Sequence, residues 1–203
     1  MATPDKPLEQ MTAQERLKLG RSLYKDGKFD EAIAVWSKIR REEASSKTYA
    51  DAQFNLGLAY KNQDELEEAI TAWSNITRDD DPETYAQAQF SLGNTYDDWG
   101  KSEQAIKTWS NISHDDDPKT YAWAQLNLGA AYAKSGELDE AITAWSKVRH
   151  DDDPETYAQA QFNLGNTYDE WGKSEQAIET WSKVRHDDDP ETYARAQINL
   201  GLA

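Results

Sequence analysis

The amino-acid sequence predicts an all-α solenoid of stacked antiparallel helix hairpins. The first observation behind this prediction is a block with the pattern Y-A-x-A-Q, which returns with a step of 36 residues. Its five copies begin at Tyr49, Tyr85, Tyr121, Tyr157 and Tyr193. A second series has the same step after a first step of 37, and it consists of Trp36, Trp73, Trp109, Trp145 and Trp181. Self-similarity at a period of about 20–50 residues is typical of repeat proteins, in which each copy forms one supersecondary unit.

Each copy carries two helical patterns separated by turn signals. In the copy after Asp81, the first pattern has apolar side chains at helical spacing, at Tyr85, Ala88, Leu92 and Tyr96. Asp81 is expected to cap this helix, and Pro82 suits its first turn, where no N–H is needed. Gly100 marks the turn that follows. The second apolar face comes after that turn, at Ala105, Ile106, Trp109 and Ile112.

Small residues recur where the two helices of a hairpin must cross closely. The first helices carry Gly57, Gly93, Gly129 and Gly165, and the second helices carry Ala69, Ala105, Ala141 and Ala177. Larger side chains there would force the axes beyond the roughly 8–10 Å that is typical of helix pairs. Since neither helix can bury its apolar stripe alone, successive hairpins are expected to stack and bury the rest.

The combination of Leu92-Gly93, Tyr96, Gly100, Ala105 and Trp109 resembles the tetratricopeptide repeat (TPR) family. The block AQFNLG adds some Sel-type character, and the period exceeds the usual TPR period of about 34 residues. The resemblance covers residues 13–203 and implies a right-handed superhelix whose first helices line a concave, ligand-binding groove. It also implies that the recurring tryptophans fill a large core position.

The repeats divide the chain into an N-terminal tail, residues 1–12, and a single repeat domain, residues 13–203. Five copies and a partial sixth are expected at 13–49, 50–85, 86–121, 122–157, 158–193 and 194–203. Alternate copies are the most alike, which indicates that the underlying unit is a pair of hairpins, 72 residues long.

Composition narrows the function classes. The 8 Trp, 10 Tyr and 4 Phe argue against disorder, although charged residues make up 30% of the 203 residues. The absence of cysteine excludes disulfides and thiolate metal sites. A net charge of −16 disfavours nucleic acid and anionic membranes as partners, because both need a basic face. The N-terminal residues lack the apolar stretch of a signal peptide or membrane anchor, so a cytoplasmic location is expected. No phosphate loop or nucleophile motif is found, and neither enzymatic activity nor a cofactor is predicted.

The resemblance places the candidate binding residues on the first helices. A row of asparagines resembles the ladder by which some family members hold a peptide backbone. The row lies one residue before each Leu-Gly and consists of Asn55, Asn127, Asn163 and Asn199, with Ser91 in the remaining copy, and Asn94 and Asn166 are further candidates for the groove. An amide can accept from a peptide N–H and donate to a peptide C=O, but regular spacing comes with any repeat. Trp123 replaces polar residues at its position in the other copies, and it is either an interface anchor or a packing contact.

Charged and titratable residues add two further hypotheses. Acidic pairs in alternate copies favour a ligand that contains Lys or Arg, and a solvated face is the alternative; the pairs are Asp97 with Asp98 and Asp169 with Glu170. One histidine recurs in three copies, as His114, His150 and His186. Repeats about 10 Å apart cannot converge on one ion, so we interpret these histidines as parts of helix ends, next to an N-capping Asp run, rather than as metal ligands.

The leading hypothesis is a non-enzymatic scaffold that holds an extended segment of a protein or peptide partner, with a preference for basic residues. The alternative is a structural module that associates with itself through its C-terminal half-repeat. In that half-repeat, Ala196, Leu200 and Gly201 are expected to face inward, and Ile198 and Leu202 outward.

Overall fold

The computed structural model describes residues 6–203, and within this range the chain forms eleven α-helices and no β-strand. In chain order the helices are α1 Ala13–Lys25, α2 Phe29–Trp36, α3 Ser46–Asn62, α4 Leu66–Ser74, α5 Pro82–Asp98, α6 Ser102–Trp109, α7 Pro118–Lys134, α8 Leu138–Ser146, α9 Pro154–Glu170, α10 Ser174–Trp181 and α11 Pro190–Leu202. Short 3-10 helices form at Leu8–Gln10 and Arg41–Glu43. The prediction of an all-α fold is confirmed.

The chain forms two compact units, Met1–Gly100 and Lys101–Ala203. Each unit has its own apolar clusters, centred on Trp36 and Trp73 in the first unit and on Trp145 and Trp181 in the second. The predicted single repeat domain of residues 13–203 stays a prediction. The predicted tail lies partly outside the described residues, and in its described part Thr12 forms a capping box with Glu15.

The predicted N-caps are confirmed at the long helices that begin with Asp-Pro. The capping side chains are Asp81, Asp117 and Asp153, which accept hydrogen bonds from the backbone N–H groups of Thr84, Thr120 and Thr156 at 3.1, 3.0 and 3.3 Å. Each of these threonine hydroxyls donates to the same carboxylate. Caps of this kind stabilise a helix by about 1 kcal/mol, so the Asp-Pro pair sets where each long helix begins.

The recurring tryptophans lie in the core and explain the recurring glycines. Trp73 is fully buried, and its indole N–H donates to the Phe54 carbonyl oxygen at 3.2 Å. A Cβ added to Gly57 would lie 2.2 Å from the Trp73 Nε1 atom, closer than real Cβ contacts allow. The same pairing recurs between Gly20 and Trp36, Gly129 and Trp145, and Gly165 and Trp181. The close approach that the small residues predict is therefore confirmed at these pairs.

At helix α11 the structure corrects one expectation. Ala196 is buried and Leu200 packs against the cluster that contains Trp181, as expected. Gly201 is exposed, and a Cβ placed there would meet nothing within 4 Å, so the expectation that it faces inward is wrong. Ile198 and Leu202 are 63% and 83% exposed. Self-association through this helix stays a prediction.

Candidate functional site

The candidate binding residues of the second unit lie on one face of its long helices. Trp123 and Asn127 are four residues apart, so they share a face of α7. Gln125, which is buried, lies two residues from each and therefore points about 200° away around the helix. We call the side of α7, α9 and α11 that carries Trp123, Asn127, Asn163 and Asn199 the first-helix face.

An open hollow of about 300 Å³ lies on this face between α9 and α11. Its lining consists of Glu155, Gln159, Phe162, Asn163, Asp189, Glu191, Thr192 and Arg195. The Arg195 guanidinium lies over the Phe162 ring, 4.4 Å from the ring centre. Glu155 and Glu191 are exposed. Together with Asp189 they give the lining three carboxylates against one cation, Arg195.

The asparagines of the proposed ladder have different surroundings. The Asn199 side chain donates to Oδ1 of Asn166 at 2.9 Å, and that oxygen also accepts from the Trp181 indole N–H at 3.2 Å. Asn166 therefore ties α9 to both α10 and α11. The Asn55 side chain donates to the backbone carbonyl oxygen of Asp51, one turn earlier. Asn163 differs, because its half-buried side-chain amide has no hydrogen-bond partner among residues 6–203 and lines the hollow.

Trp123 packs against the start of the neighbouring long helix. Its indole N–H donates to Oδ2 of Asp153, the N-cap of α9, at 3.3 Å. The Lys119 ammonium lies 5.2 Å from the ring centre and pairs with Asp153 at 3.2 Å. Burial opposes ionisation of Asp153, but hydrogen bonds from Thr156 and Lys119 outweigh it, so the pKa of this carboxyl lies below its ordinary value. Trp123 is half-buried and so combines a packing contact with a partly exposed ring.

The acidic pairs lie at the ends of their helices rather than in the hollow. Asp97 and Asp98 form the last turn of α5, and Asp169 and Glu170 form the last turn of α9. All four are exposed. Asp98 pairs with Lys61 at 3.6 Å, and exposed pairs of this kind contribute at most about 1 kcal/mol. These residues can add to the charge of the surface, but they do not line the hollow.

The recurring histidines join successive loops. Nε2 of His114 lies 2.9 Å from Oδ1 of Asp152, and His150 makes the same contact with Asp188 at 2.9 Å. Arg41 pairs with Asp80 at the equivalent place in the first unit. The interpretation of the histidines as helix-end residues is therefore incomplete. In the runs 79–81, 151–153 and 187–189, the third aspartate caps its own helix, whereas the second accepts from the preceding loop.

The sequence does not reveal these contacts because the partners lie 38 residues apart. A signal was nevertheless present, because Arg41 occupies the position of the histidines in the first copy and shares only the donor function with them. Within residues 6–203, no group of three or more His, Asp or Glu side chains has the arrangement of a metal site.

The chain is similar to known protein families at the level of its individual repeats. Two tetratricopeptide repeat family models match residues 122–146 and 158–183. A model described as a domain of unknown function (DUF6340) matches residues 18–98. Among curated proteins, no sequence matches the chain at a significant level.

Solved structures with a similar fold include a crystal structure of MamA and one of YrrB, which is described as a TPR protein with an unusual peptide-binding site. MamA has 23% identity and a TM-score of 0.63, over 87% of this chain and 95% of the other. YrrB has 22% identity and a TM-score of 0.60, over 91% of each chain. Residues 41 to the end of MamA from Desulfovibrio magneticus RS-1 give 20% identity and a TM-score of 0.58, over 85% and 92%. These matches show an α-solenoid of helix hairpins. No helix in the described residues is long and apolar enough to cross a membrane.

Proposed function

Because this chain carries tetratricopeptide repeats, we propose that it is a non-enzymatic scaffold that binds an extended segment of a partner protein along the first-helix face. The observation that carries this proposal is the open hollow between α9 and α11. Most ligand sites are concave and include a few polar groups that orient the ligand. Asn163 provides such a group here, and the buried Phe162 ring lies beneath the Arg195 guanidinium. YrrB, which shares the fold, has a peptide-binding site by its own description.

Asn163 is the group that would hold the backbone of the bound segment. An amide side chain offers an acceptor and two donors, so it can pair with both groups of a peptide unit without selecting a sequence. In the row of asparagines, Asn199 already donates to Asn166, and Asn55 to its own helix. The Asn163 amide is half-buried and lines the hollow, so it would lose little conformational entropy on binding.

The charge of the lining supports a partner segment with Lys or Arg. Glu155 and Glu191 are exposed, and Asp189, the N-cap of α11, also lines the hollow. Arg195, the cation of the lining, is held over the Phe162 ring. Opposite charge across an interface speeds association and favours the complementary partner, and the net charge of −16 acts in the same direction.

A peptide selection tests this proposal. Random dodecamers displayed on phage through their C-terminus are selected on the immobilised protein, and an enriched peptide is synthesised and titrated by calorimetry. We expect enrichment of Lys and Arg. Asn163→Ala should weaken binding about tenfold, because a peptide group loses its partner. Glu155→Gln combined with Glu191→Gln should weaken binding and reduce its dependence on salt.

Matched controls lie in the first unit. Asn55→Ala removes the amide of the same row, and Glu67→Gln with Glu68→Gln removes two carboxylates from the exposed first turn of α4. Both controls should bind the selected peptide as the wild type does. Equal affinity for the wild type and for both groove variants would contradict the proposal, as would a failure to enrich any peptide.

A further inference from the structure

A second concave site lies on the other side of α7, away from the first-helix face. It is an open pocket of about 390 Å³ in the second unit, within the range of about 300–1,000 Å³ that is usual for ligand sites. Helix α7 contributes Tyr121, Gln125, Leu128 and Tyr132 to its floor. Their spacing of four, three and four residues places them on one stripe of the helix, opposite Trp123 and Asn127. This pocket is therefore independent of the proposed function.

Gln125 is the unusual group in the floor. It is 4% exposed, and its Oε1 atom has no hydrogen-bond partner among residues 6–203. The equivalent Gln53 of the first unit accepts from the side chain of Asn75 at 3.1 Å. Lys147 occupies the position of Asn75 in the second unit, so the partner that satisfies Gln53 is missing for Gln125. A buried acceptor without a partner is costly, and a ligand that donates to it removes that cost.

Helix α8 gives the rim of the pocket two opposite charges. Asp139 and Glu140 lie in the first turn of α8 and Lys147 directly follows its last residue, and all three line the pocket. Eight residues separate Asp139 from Lys147, which corresponds to about 12 Å along a helix. Lys147 makes no salt bridge with the side chains of residues 6–203. The pocket therefore has an acidic end, a basic end and an unpaired acceptor in its floor.

The next hairpin lacks this combination, although it has the same fold. Lys183 is the equivalent of Lys147, but it pairs with Glu179 at 3.1 Å, where the pocket has Thr143 instead. Gln176 stands at the position of Glu140, so the two positions that hold Asp139 and Glu140 in the pocket carry a single carboxylate, Glu175, in the next hairpin. These two differences from the next hairpin give the pocket its acidic end and keep Lys147 available.

We infer that this pocket binds a basic α-amino acid with a free carboxylate, either as free arginine or as the C-terminal arginine of a peptide. The α-carboxylate pairs with the ammonium of Lys147, and the guanidinium pairs with the carboxylates of Asp139 and Glu140. A ligand N–H donates to Gln125, whose terminal torsion is broad enough to turn Oε1 toward the pocket. The Tyr132 ring, also in the lining, offers a face to the cation, and Leu128 packs against the aliphatic stem.

Calorimetric titration of the full chain with small ligands tests each charge from the ligand side. The probes are Ala-Ala-Arg with a free carboxylate, its C-terminal amide, Ala-Ala-citrulline and free L-arginine. We expect Ala-Ala-Arg to bind with one site per chain, and the amide and the citrulline peptide to bind at least about tenfold more weakly. Binding of free arginine as tight as that of the tripeptide identifies an amino-acid site, and weaker binding identifies a chain-terminus site.

Protein variants test the residues. Lys147→Asn restores the residue that closes the equivalent place in the first unit, and it should weaken Ala-Ala-Arg at least about tenfold. Lys183→Asn removes the same charge one repeat later and should leave binding unchanged. Asn163→Ala should also leave it unchanged, which separates this pocket from the first-helix face. The inference is overturned if none of the probes binds, if the amide and the free carboxylate bind equally, or if Lys147→Asn and Lys183→Asn have the same effect.

Discussion

At the scale of single residues, contact between glycine and tryptophan sets how closely the helices of a hairpin approach. Gly129 lies so near the Trp145 ring that a Cβ would be 2.2 Å from the indole nitrogen. The same indole N–H donates to the Leu126 carbonyl oxygen at 3.1 Å, which holds the ring in place. Because the ring is both buried and hydrogen-bonded, it cannot move aside without losing packing and a hydrogen bond.

A pair of glycine substitutions tests this contact. Gly129→Ala should lower the free energy of unfolding by about 1–3 kcal/mol, because overpacking forces the Trp145 ring to shift. Gly201→Ala is the matched control, since a Cβ there meets nothing within 4 Å. Alanine also has the better helix propensity, so the control should be neutral or slightly stabilising. Urea unfolding followed by circular dichroism measures both, and equal stability of Gly129→Ala and wild type would contradict the packing argument.

A second residue-scale prediction concerns the turn between α3 and α4. Asp64 has φ of 64°, whereas the equivalent positions in the other hairpins are glycines with positive φ, such as Gly100 and Gly136. A side chain in this left-handed region costs free energy that glycine avoids. Asp64→Gly should therefore stabilise the chain by about 0.5–1 kcal/mol. Gly136→Asp is the reverse change and should destabilise by a similar amount in the same urea assay.

At the scale of helices and loops, bridges between successive loops hold the repeats of the second unit together. Asp152 and Asp188 are almost completely buried and accept from His114 and His150 of the preceding loops. Burial opposes ionisation of Asp152, but hydrogen bonds from Arg149 and His114 outweigh it and hold its carboxyl pKa below the ordinary value. For Asp188, the hydrogen bond from Arg185 is the main cause of a pKa that also lies below the ordinary value.

These pKa shifts predict the pH dependence of stability. A carboxyl whose pKa is lower in the folded chain stabilises it above the unfolded pKa of about 4, and this contribution is lost as the pH falls through the folded value. Asp152→Asn with Asp188→Asn should lower the free energy of unfolding at neutral pH by on the order of 1–3 kcal/mol. It should also flatten the loss of stability below pH of about 4.

The control for the pH prediction changes the neighbouring aspartates. Asp151 and Asp187 have fully exposed side chains, so Asp151→Asn with Asp187→Asn should leave the acid-unfolding curve close to that of the wild type. Urea unfolding at a series of pH values measures both pairs. If both pairs flatten the curve equally, the effect comes from net charge and not from the bridges.

At the scale of the whole molecule, the repeat predicts that stability is a sum of hairpins and their neighbouring contacts. Deleting residues 85–156 removes one 72-residue pair and joins Thr84 to Tyr157 in register. The shortened chain should remain helical and unfold cooperatively, with a stability lowered in a graded way. Deleting residues 85–138 breaks the register at the junction and should lower the helix content and the stability more than the in-register deletion does, although it removes fewer residues. Circular dichroism with urea unfolding distinguishes the two, and an unfolded in-register deletion would contradict the repeat architecture.

Features that depend on local chemistry or on the repeat period can be predicted from the residues alone. Asp81 and Pro82 place the start of α5 because capping and the missing proline N–H act within one helical turn. Trp73 and Gly57 could be recognised as core residues because the period repeats them at matching positions. The period does not distinguish residues that occupy the same position of the repeat but have different hydrogen-bond partners. Asn163 and Asn199 occupy the same position of the repeat, but only their different neighbours decide that Asn199 donates to Asn166.

Contacts between side chains of different repeats become visible only in the folded chain. His114 reaches Asp152 because two loops, 38 residues apart in the chain, lie side by side. Gln125 lacks the partner that Gln53 finds in Asn75, and only the contact between the two helices of one hairpin shows that the residue at this position serves as that partner. A repeat gives the same backbone environment to equivalent residues, whereas a single replacement such as Lys147 changes the contacts of its neighbours. Hydrogen bonds require atoms to meet within about 3 Å, and sequence spacing alone cannot specify that precision for residues on different helices.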